Sequence, residues 1–170
     1  ENNALLAGLM ILAFLWLERD RFGRAAAAIA VGASFKIFPL AAAALALPHR
    51  WRWRFGGALA ASLALLLLAP LLLTSASALL EQYQWWGEAQ RGFSIRRLES
   101  VMALIALVVP GDWPNWPVQF VGTALVLLPF AVRRADWGDP LFRRGMLYSV
   151  LVYVVLFNHQ AESPSFVIAM

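Results

Sequence analysis

The stretch AAAAIAVGASFKIFPLAAAALAL (25–47) is long and apolar enough to enter a membrane, but Lys36 and Pro39 interrupt it near the middle. Proline lacks a backbone hydrogen-bond donor and clashes with the preceding turn of a helix. A cation deep in an apolar segment costs roughly 2.5–3.5 kcal/mol on insertion scales. We therefore expect either a run that spans the membrane or a run that breaks at Lys36–Pro39 and returns to the side from which it came.

The composition indicates an integral membrane protein. Of the 170 residues, 61% are hydrophobic and 14% are charged, whereas a soluble domain averages about 45–50% apolar and about 25% charged residues. These values exclude a disordered chain, a collagen-like chain and a typical soluble enzyme. The chain has no cysteine, which excludes a disulfide framework, a thiolate zinc site and a cysteine nucleophile.

The basic residues lie mostly beside the apolar segments and not on one basic face. Thirteen arginines and one lysine leave a net charge of +4. Their placement is typical of membrane topology signals and argues against nucleic-acid binding. The sequence contains no P-loop, dinucleotide fingerprint, Ser-His-Asp arrangement or zinc motif, so we expect no cofactor and no metal.

The remaining apolar runs predict an all-α fold, a polytopic bundle of transmembrane helices. These runs cover residues 4–17, 55–73, 100–110, 118–132 and 146–157. The run 100–110 is too short to span alone, because a spanning helix needs about 20 residues. Segment 74–99 carries apolar residues at helical spacing between polar ones, which predicts an amphipathic helix lying on the membrane surface.

We expect residues 1–170 to form a single membrane domain. The chain begins with Glu1 and ends at Met170 within apolar patterns. We therefore expect a fragment of a longer membrane protein, truncated at both ends, with some functional residues outside it.

Three loops rich in arginine suggest how the chain crosses the membrane. Loops 18–24, 48–54 and 133–144 carry three, three and four arginines. Cytoplasmic loops are enriched in lysine and arginine. If every apolar run spans in turn, loop 48–54 lies outside; if runs 25–47 and 100–110 break and return, all three loops lie inside. We favour the second arrangement, in which the neutral segment 74–99 lies outside.

Lys36 is the most informative single residue. Its position in an apolar run, with Gly32, Ser34 and Pro39 as neighbours that open the backbone, predicts a phosphate or pyrophosphate ligand at the floor of a cavity. The alternative is a lysine near a helix end that extends its charge to the membrane surface.

Three further groups of polar residues are candidates for the site, and both topologies place the first two on the extracytoplasmic side. The chain start includes Asn3, for which an ordinary helix cap is the alternative. A cluster follows the run that ends at residue 157, where a solvated loop is the alternative. It consists of Asn158, His159, Gln160, Glu162 and Ser163. Arg96 and Arg97, with Arg91, could contact a lipid phosphate, although lipid headgroups or local glutamates would also pair with them.

Four segments, in matching order, together resemble glycosyltransferase family 87, the polyprenol-phosphate-mannose-dependent mannosyltransferases. They are ENNALLAGL (1–9), SFKIFP (34–39), ESVM (99–102) and FNHQAESP (157–164). They are similar to the family's Gln-x-Asn helix opening, its Lys-x-x-Pro segment, its Ser-centred helix start and its late Ser-Pro motif. Two departures stand out: Glu1 replaces a frequent glutamine, and His159 precedes the Ser-Pro pair where many relatives place it after.

The resemblance implies a membrane glycosyltransferase of the GT-C type. Such an enzyme would transfer a hexose, here mannose, from a polyprenyl-phosphate carrier to a glycolipid or glycan acceptor. The reaction would occur on the extracytoplasmic side of a bacterial plasma membrane. Lys36, His159, Arg96 and Arg97 would contact the donor phosphate, whereas Asn3, Asn158, Gln160, Glu162 and Ser163 would bind the substrates. The resemblance places the catalytic carboxylate upstream of residue 1.

A transporter or lipid-carrier flippase is the alternative function. Such proteins also use broken helices and charges within the membrane. Sequence upstream of residue 1 would discriminate, because an acidic residue after the first spanning helix favours the enzyme and inverted repeats favour a transporter.

Overall fold

The computed structural model describes residues 2–92, 100–109, 111, 113–157 and 168, and within them the chain is helical, without strands. The α-helices are α1 (Asn3–Leu17), α2 (Phe22–Phe35), α3 (Arg52–Leu68), α4 (Ala76–Gly92), α5 (Val101–Val108), α6 (Trp116–Val132) and α7 (Pro140–Leu156). Three 3-10 segments lie between them: Phe38–Ala46, Ala69–Leu72 and Arg134–Gly138. The expected all-α class is confirmed.

The apolar run 25–47 is broken at Lys36. Helix α2 ends at Phe35, Lys36 has extended backbone angles, and the 3-10 segment Phe38–Ala46, called here the return segment, follows. Pro39 packs against Gly32, where an added Cβ would lie 3.1 Å from the proline Cβ. Residues seven apart in a continuous helix are separated by about 10 Å along the axis. The contact therefore requires the chain to reverse and run back along α2.

The three arginine-rich loops meet at one end of the bundle, called here the arginine-rich end (residues 18–24, 48–54 and 133–144). Glu18 accepts a hydrogen bond of 2.7 Å from Arg143 Nε, and His49 Nε2 lies 3.6 Å from the same carboxylate. Arg50 lies 4.0 Å from Asp20. Because loops 18–24 and 48–54 lie at the same end, run 25–47 leaves that end and returns to it. Spans that cross one after another would place these two loops at opposite ends.

One helical stretch in the described part of the chain is long and apolar enough to cross a membrane. It runs over Arg52–Leu72, combining α3 with the 3-10 turn that follows, and only 6% of its most apolar window is buried. Apolar helices Asn3–Leu17, Phe22–Phe35 and Trp116–Val132 are shorter. A bundle with several spans therefore stays a prediction.

The protein core joins α1, α2, the return segment and α7. Its fully buried side chains include Leu6, Met10, Ile29, Val150 and Val155. They come from helices that are far apart in sequence, so the core holds the two ends of the described chain together. This packing positions the candidate site at the end of the bundle opposite the arginine-rich end.

Helix α7 begins earlier than the apolar pattern indicates. The sequence predicts a polar loop over residues 133–144, but α7 already starts at Pro140. Asp139 caps it by accepting a hydrogen bond of 2.9 Å from the backbone N–H of Leu141. A proline in the first helical position needs no backbone donor. Cap and proline together start the helix before its apolar face begins.

Helices α4 and α5 occupy the segments expected for a surface helix and a short apolar run. In α4, Leu79 is buried whereas Leu80 and Trp86 are 60% and 58% exposed. Helix α5 has eight residues and is capped by Ser100, whose side chain accepts a hydrogen bond from the backbone N–H of Ala103. Its length is consistent with the expectation that this run does not span alone.

Candidate functional site

Lys36 and Asn3, two residues proposed from sequence, are in direct contact. Lys36 Nζ donates a hydrogen bond of 3.0 Å to Asn3 Oδ1, across 33 residues of sequence. Asn3 stands at the first position of α1 and is only 4% exposed. The buried amide therefore fixes where the lysine ammonium lies.

The local fold explains why Lys36 occupies this position. Lys36 caps the C-terminal end of α2, and its backbone N–H donates to the carbonyl of Gly32. A cation is favoured near the negative end of a helix dipole. The lysine is exposed and lies at the end of α2, at the break that the returning arrangement of run 25–47 predicts.

An apolar groove begins at the residue after Lys36. It has a volume of about 880 Å³ and lies between the return segment and helices α6 and α7. Its walls include Ile37, Phe38 from the return segment, Phe120 from α6 and Val154 from α7. The groove could hold an extended apolar chain next to the lysine.

A few polar groups line the same groove. The hydroxyl groups of Thr123 and Tyr153 are 2.6 Å apart, and Thr123 also donates to the carbonyl of Gln119. Gln119 Nε2 in turn donates to the Phe157 carbonyl at 3.5 Å. These bonds connect α6 to α7 and satisfy polar groups that face apolar surroundings.

The Phe157 ring is seated on Gly122 at one wall of the groove. A Cβ added to Gly122 would lie 2.3 Å from the ring, which no real packing allows. Phe157 also stacks on Tyr153, with ring centroids 5.4 Å apart. The glycine thus sets the position of the residue from which the polar cluster at 158–163 departs.

The arginine-rich end contains a charge cluster that sequence reasoning missed. Arg143 forms two hydrogen bonds to the Glu18 carboxylate, of 2.7 and 3.0 Å, and a third of 2.9 Å to the Trp137 carbonyl. Glu18 and Arg143 are separated by 125 residues. No local motif could have paired them.

His49 packs against this charge cluster. Its buried Nε2 has no hydrogen-bond partner among the residues that the structure describes. Burial lowers the pKa of the His49 imidazole below its ordinary value of 6.5 and Arg143 lowers it further, whereas Glu18 and Asp20 raise it. Burial dominates, so the neutral ring is favoured.

The structure brings together two of the nine residues proposed for the site, Asn3 and Lys36. The other seven are Arg96, Arg97, Asn158, His159, Gln160, Glu162 and Ser163, and they lie outside the described residues. No cluster of three metal-ligating side chains occurs in the part of the chain that the structure describes.

The fold and this site define a class: an all-helical protein with a membrane-length helix, a broken apolar run, and a tethered lysine beside a groove able to hold an apolar chain. The family model for glycosyltransferase family 87 matches residues 1–158. The chain therefore belongs to glycosyltransferase family 87, and it is a membrane glycosyltransferase. Comparison with curated proteins and comparison with solved structures each gave no match.

Proposed function

We propose that this glycosyltransferase transfers mannose from a polyprenyl-phosphate carrier to a glycolipid or glycan acceptor on the extracytoplasmic side of a bacterial plasma membrane. One observation carries the proposal: Lys36 is tethered to Asn3, and the next residue, Ile37, lines an apolar groove. A lipid-linked donor has the same two parts, a phosphate and an apolar chain. Family membership favours an enzyme over the transporter or flippase alternative.

Lys36 is suited to the donor phosphate. An ammonium group has three N–H donors, and one of them is used by Asn3. The others can reach phosphate oxygens. Negative charge grows on the phosphate as its bond to the sugar breaks, so a positioned cation stabilises the transition state more than the ground state.

The groove is suited to the isoprenoid chain of the donor. Burying apolar chain contributes about 0.8 kcal/mol per methylene group, which a nucleotide-linked donor could not use. Because Ile37 lines the groove, a chain bound with its phosphorylated end toward Ile37 would bring its phosphate beside Lys36.

The position of the arginine-rich end supports an extracytoplasmic site. Arginine-rich loops favour the cytoplasm, and these loops lie together at one end of the bundle. Helix α1 runs from Asn3 to Leu17, which precedes the arginine-rich end. Asn3 and Lys36 therefore lie toward the opposite, extracytoplasmic side.

We assign the other residues by extension of this proposal. His159, Arg96 and Arg97 would provide further contacts to the donor phosphate. Asn158, Gln160, Glu162 and Ser163 follow in sequence after Phe157, which lines the groove. Together with Asn3 they would bind the sugar or the acceptor.

A transfer assay with the full-length protein tests the donor class. We expect transfer from polyprenyl-phosphate-mannose and none from a nucleotide-linked mannose. Ala44→Trp, which fills the groove, should raise KM for the lipid-linked donor at least tenfold. Ala60→Trp places the same side chain on the exposed side of α3 and should leave KM unchanged. Efficient transfer from the nucleotide-linked sugar would contradict the proposal.

A further inference from the structure

The arginine-rich end has far more positive than negative charge. Its three loops contain ten arginines and four carboxylates, a balance of +6. The whole chain has a net charge of +4. The positive charge of the chain is thus concentrated at this end.

The four carboxylates are already engaged by their neighbours. Glu18 binds Arg143, Asp136 binds Arg133 at 2.6 Å, and Asp20 lies 4.0 Å from Arg50. Asp139 caps α7. Among the described residues seven arginines are left without a carboxylate within 4.0 Å, and all are exposed: Arg19, Arg21, Arg24, Arg52, Arg54, Arg134 and Arg144.

Two guanidinium groups are gathered on one tryptophan ring. The Arg50 and Arg54 guanidinium carbons lie 4.7 and 4.4 Å from the centroid of the Trp51 ring. The ring attracts each cation, but the two cations repel one another. An anion that contacts both would relieve this repulsion. Asp20 does not fill this role, because it lies 4.0 Å from Arg50 alone and both side chains of that pair are largely exposed.

The same patch marks the beginning of the membrane-length helix. The stretch Arg52–Leu72 starts directly after Trp51, and Trp53 is 82% exposed. Tryptophans near helix ends lie at the depth of lipid headgroups. In a bilayer around this helix, lipid phosphates would therefore lie at the level of Arg50 and Arg54.

We propose that Arg50, Trp51 and Arg54 form a binding site for the headgroup phosphate of an anionic phospholipid. A planar guanidinium group can donate two parallel hydrogen bonds to the oxygens of one phosphate. Trp51 holds the guanidinium groups of Arg50 and Arg54 in place. The site lies at the arginine-rich end, away from Lys36. It does not depend on the identity of the sugar donor.

Lipid titration of the detergent-solubilised full-length protein tests this site. Native mass spectrometry would follow phosphatidylglycerol and phosphatidylcholine binding, with inorganic phosphate as a soluble competitor. We expect preferential phosphatidylglycerol binding that weakens with salt and is unaffected by millimolar phosphate. The double variant Arg50→Gln/Arg54→Gln should weaken phosphatidylglycerol binding about 30-fold, from about 1 kcal/mol for each arginine.

A matched double variant controls for net charge. Arg134→Gln/Arg144→Gln removes two charges from the same end but none from Trp51, and it should weaken binding less than threefold. Equal losses in the two double variants, or equal binding of the two lipids, would overturn the proposal. Displacement of the lipid by inorganic phosphate would also overturn it, because the site would then be one for soluble phosphate.

A conservative variant keeps the test decisive if the glutamine variant does not fold. Arg50→Lys/Arg54→Lys retains both charges but loses the planar groups that stack on Trp51. We expect phosphatidylglycerol binding to weaken several-fold while the thermal midpoint of unfolding stays near that of the unaltered protein. Unchanged binding would show that the stacked pair plays no part.

Discussion

At the arginine-rich end ten guanidinium groups are spread over three loops, and most of them face outward. At the opposite end a single lysine is hydrogen-bonded to an asparagine that is only 4% exposed. Many exposed cations set orientation and attract anions without strict geometry. One cation held by a buried partner has a defined position, which is what stabilising a transition state requires. We infer that the first end serves topology and the second serves chemistry.

Removing the lysine should have the largest effect on catalysis. Lys36→Ala should lower sugar transfer about 100-fold, the usual consequence of losing one positioned electrostatic group. Arg134→Ala removes the same charge from the other end and should change transfer less than twofold. Initial rates with polyprenyl-phosphate-mannose would measure both. Equal rates for Lys36→Ala and the unaltered protein would remove Lys36 from the mechanism.

Breaking the Glu18–Arg143 pair should instead reduce stability. Their side chains are 24% and 19% exposed, so Glu18→Gln leaves a largely buried guanidinium without its counter-charge. We expect a loss of about 2 kcal/mol in the free energy of unfolding, measured by denaturant titration in mixed micelles. The folded fraction should retain its transfer rate.

The exposed Arg133–Asp136 pair is the control for this loss. Its side chains are 61% and 38% exposed, and Asp136→Asn should cost less than about 1 kcal/mol. If the two variants lost the same free energy, burial would not be what makes the Glu18 pair important.

Crowding the Gly122–Phe157 contact should have a smaller effect on stability and also reach the site. Gly122→Ala forces the Phe157 ring to move, at a cost of about 1–2 kcal/mol. Gly145→Ala in α7 meets nothing within 4 Å and should be neutral or slightly stabilising. Thermal midpoints and KM for the donor would separate the two. Unchanged values for both variants would show that the ring has room to move.

The smallest expected effect is a pH dependence at the arginine-rich end. Burial lowers the pKa of His49, so below about pH 6.5 the unfolded chain binds a proton that the folded protein resists. Stability should therefore fall as the pH drops below 6.5 and be insensitive to His49 above it. The difference in thermal midpoint between the unaltered protein and His49→Gln, measured from pH 7.5 to 5.5, should show this. A difference that does not vary with pH would contradict it.

The sequence predicted much of the fold because the residues that form and break each helix lie within that helix or next to it. Pro39 and Lys36 indicated the break in run 25–47, and the break is present. The start of α7 was missed because a cap and a proline at 139–140, and not an apolar pattern, determine it. The multi-span arrangement stays a prediction, since one described helix is long enough to cross a membrane.

The sequence identified individual residues of the site but not the contacts between them. Asn3 and Lys36 were each singled out, but their contact depends on α1 packing beside α2. The groove and the Glu18–Arg143 pair were not expected, because both arise from elements far apart in the chain. Packing of distant segments has no signature in a single sequence.

Chemical rescue of Lys36→Cys in full-length protein tests the central claim most directly. Methanethiosulfonate ethyltrimethylammonium, a membrane-impermeant cation, would be added to oriented vesicles from either side. A neutral methanethiosulfonate serves as control. Lys36→Cys should lose transfer, and the cationic reagent, which restores the positive charge but no N–H donor, should restore part of it when added from the extracytoplasmic side only. Restoration by the neutral reagent, or from the cytoplasmic side, would contradict an extracytoplasmic cation at this position.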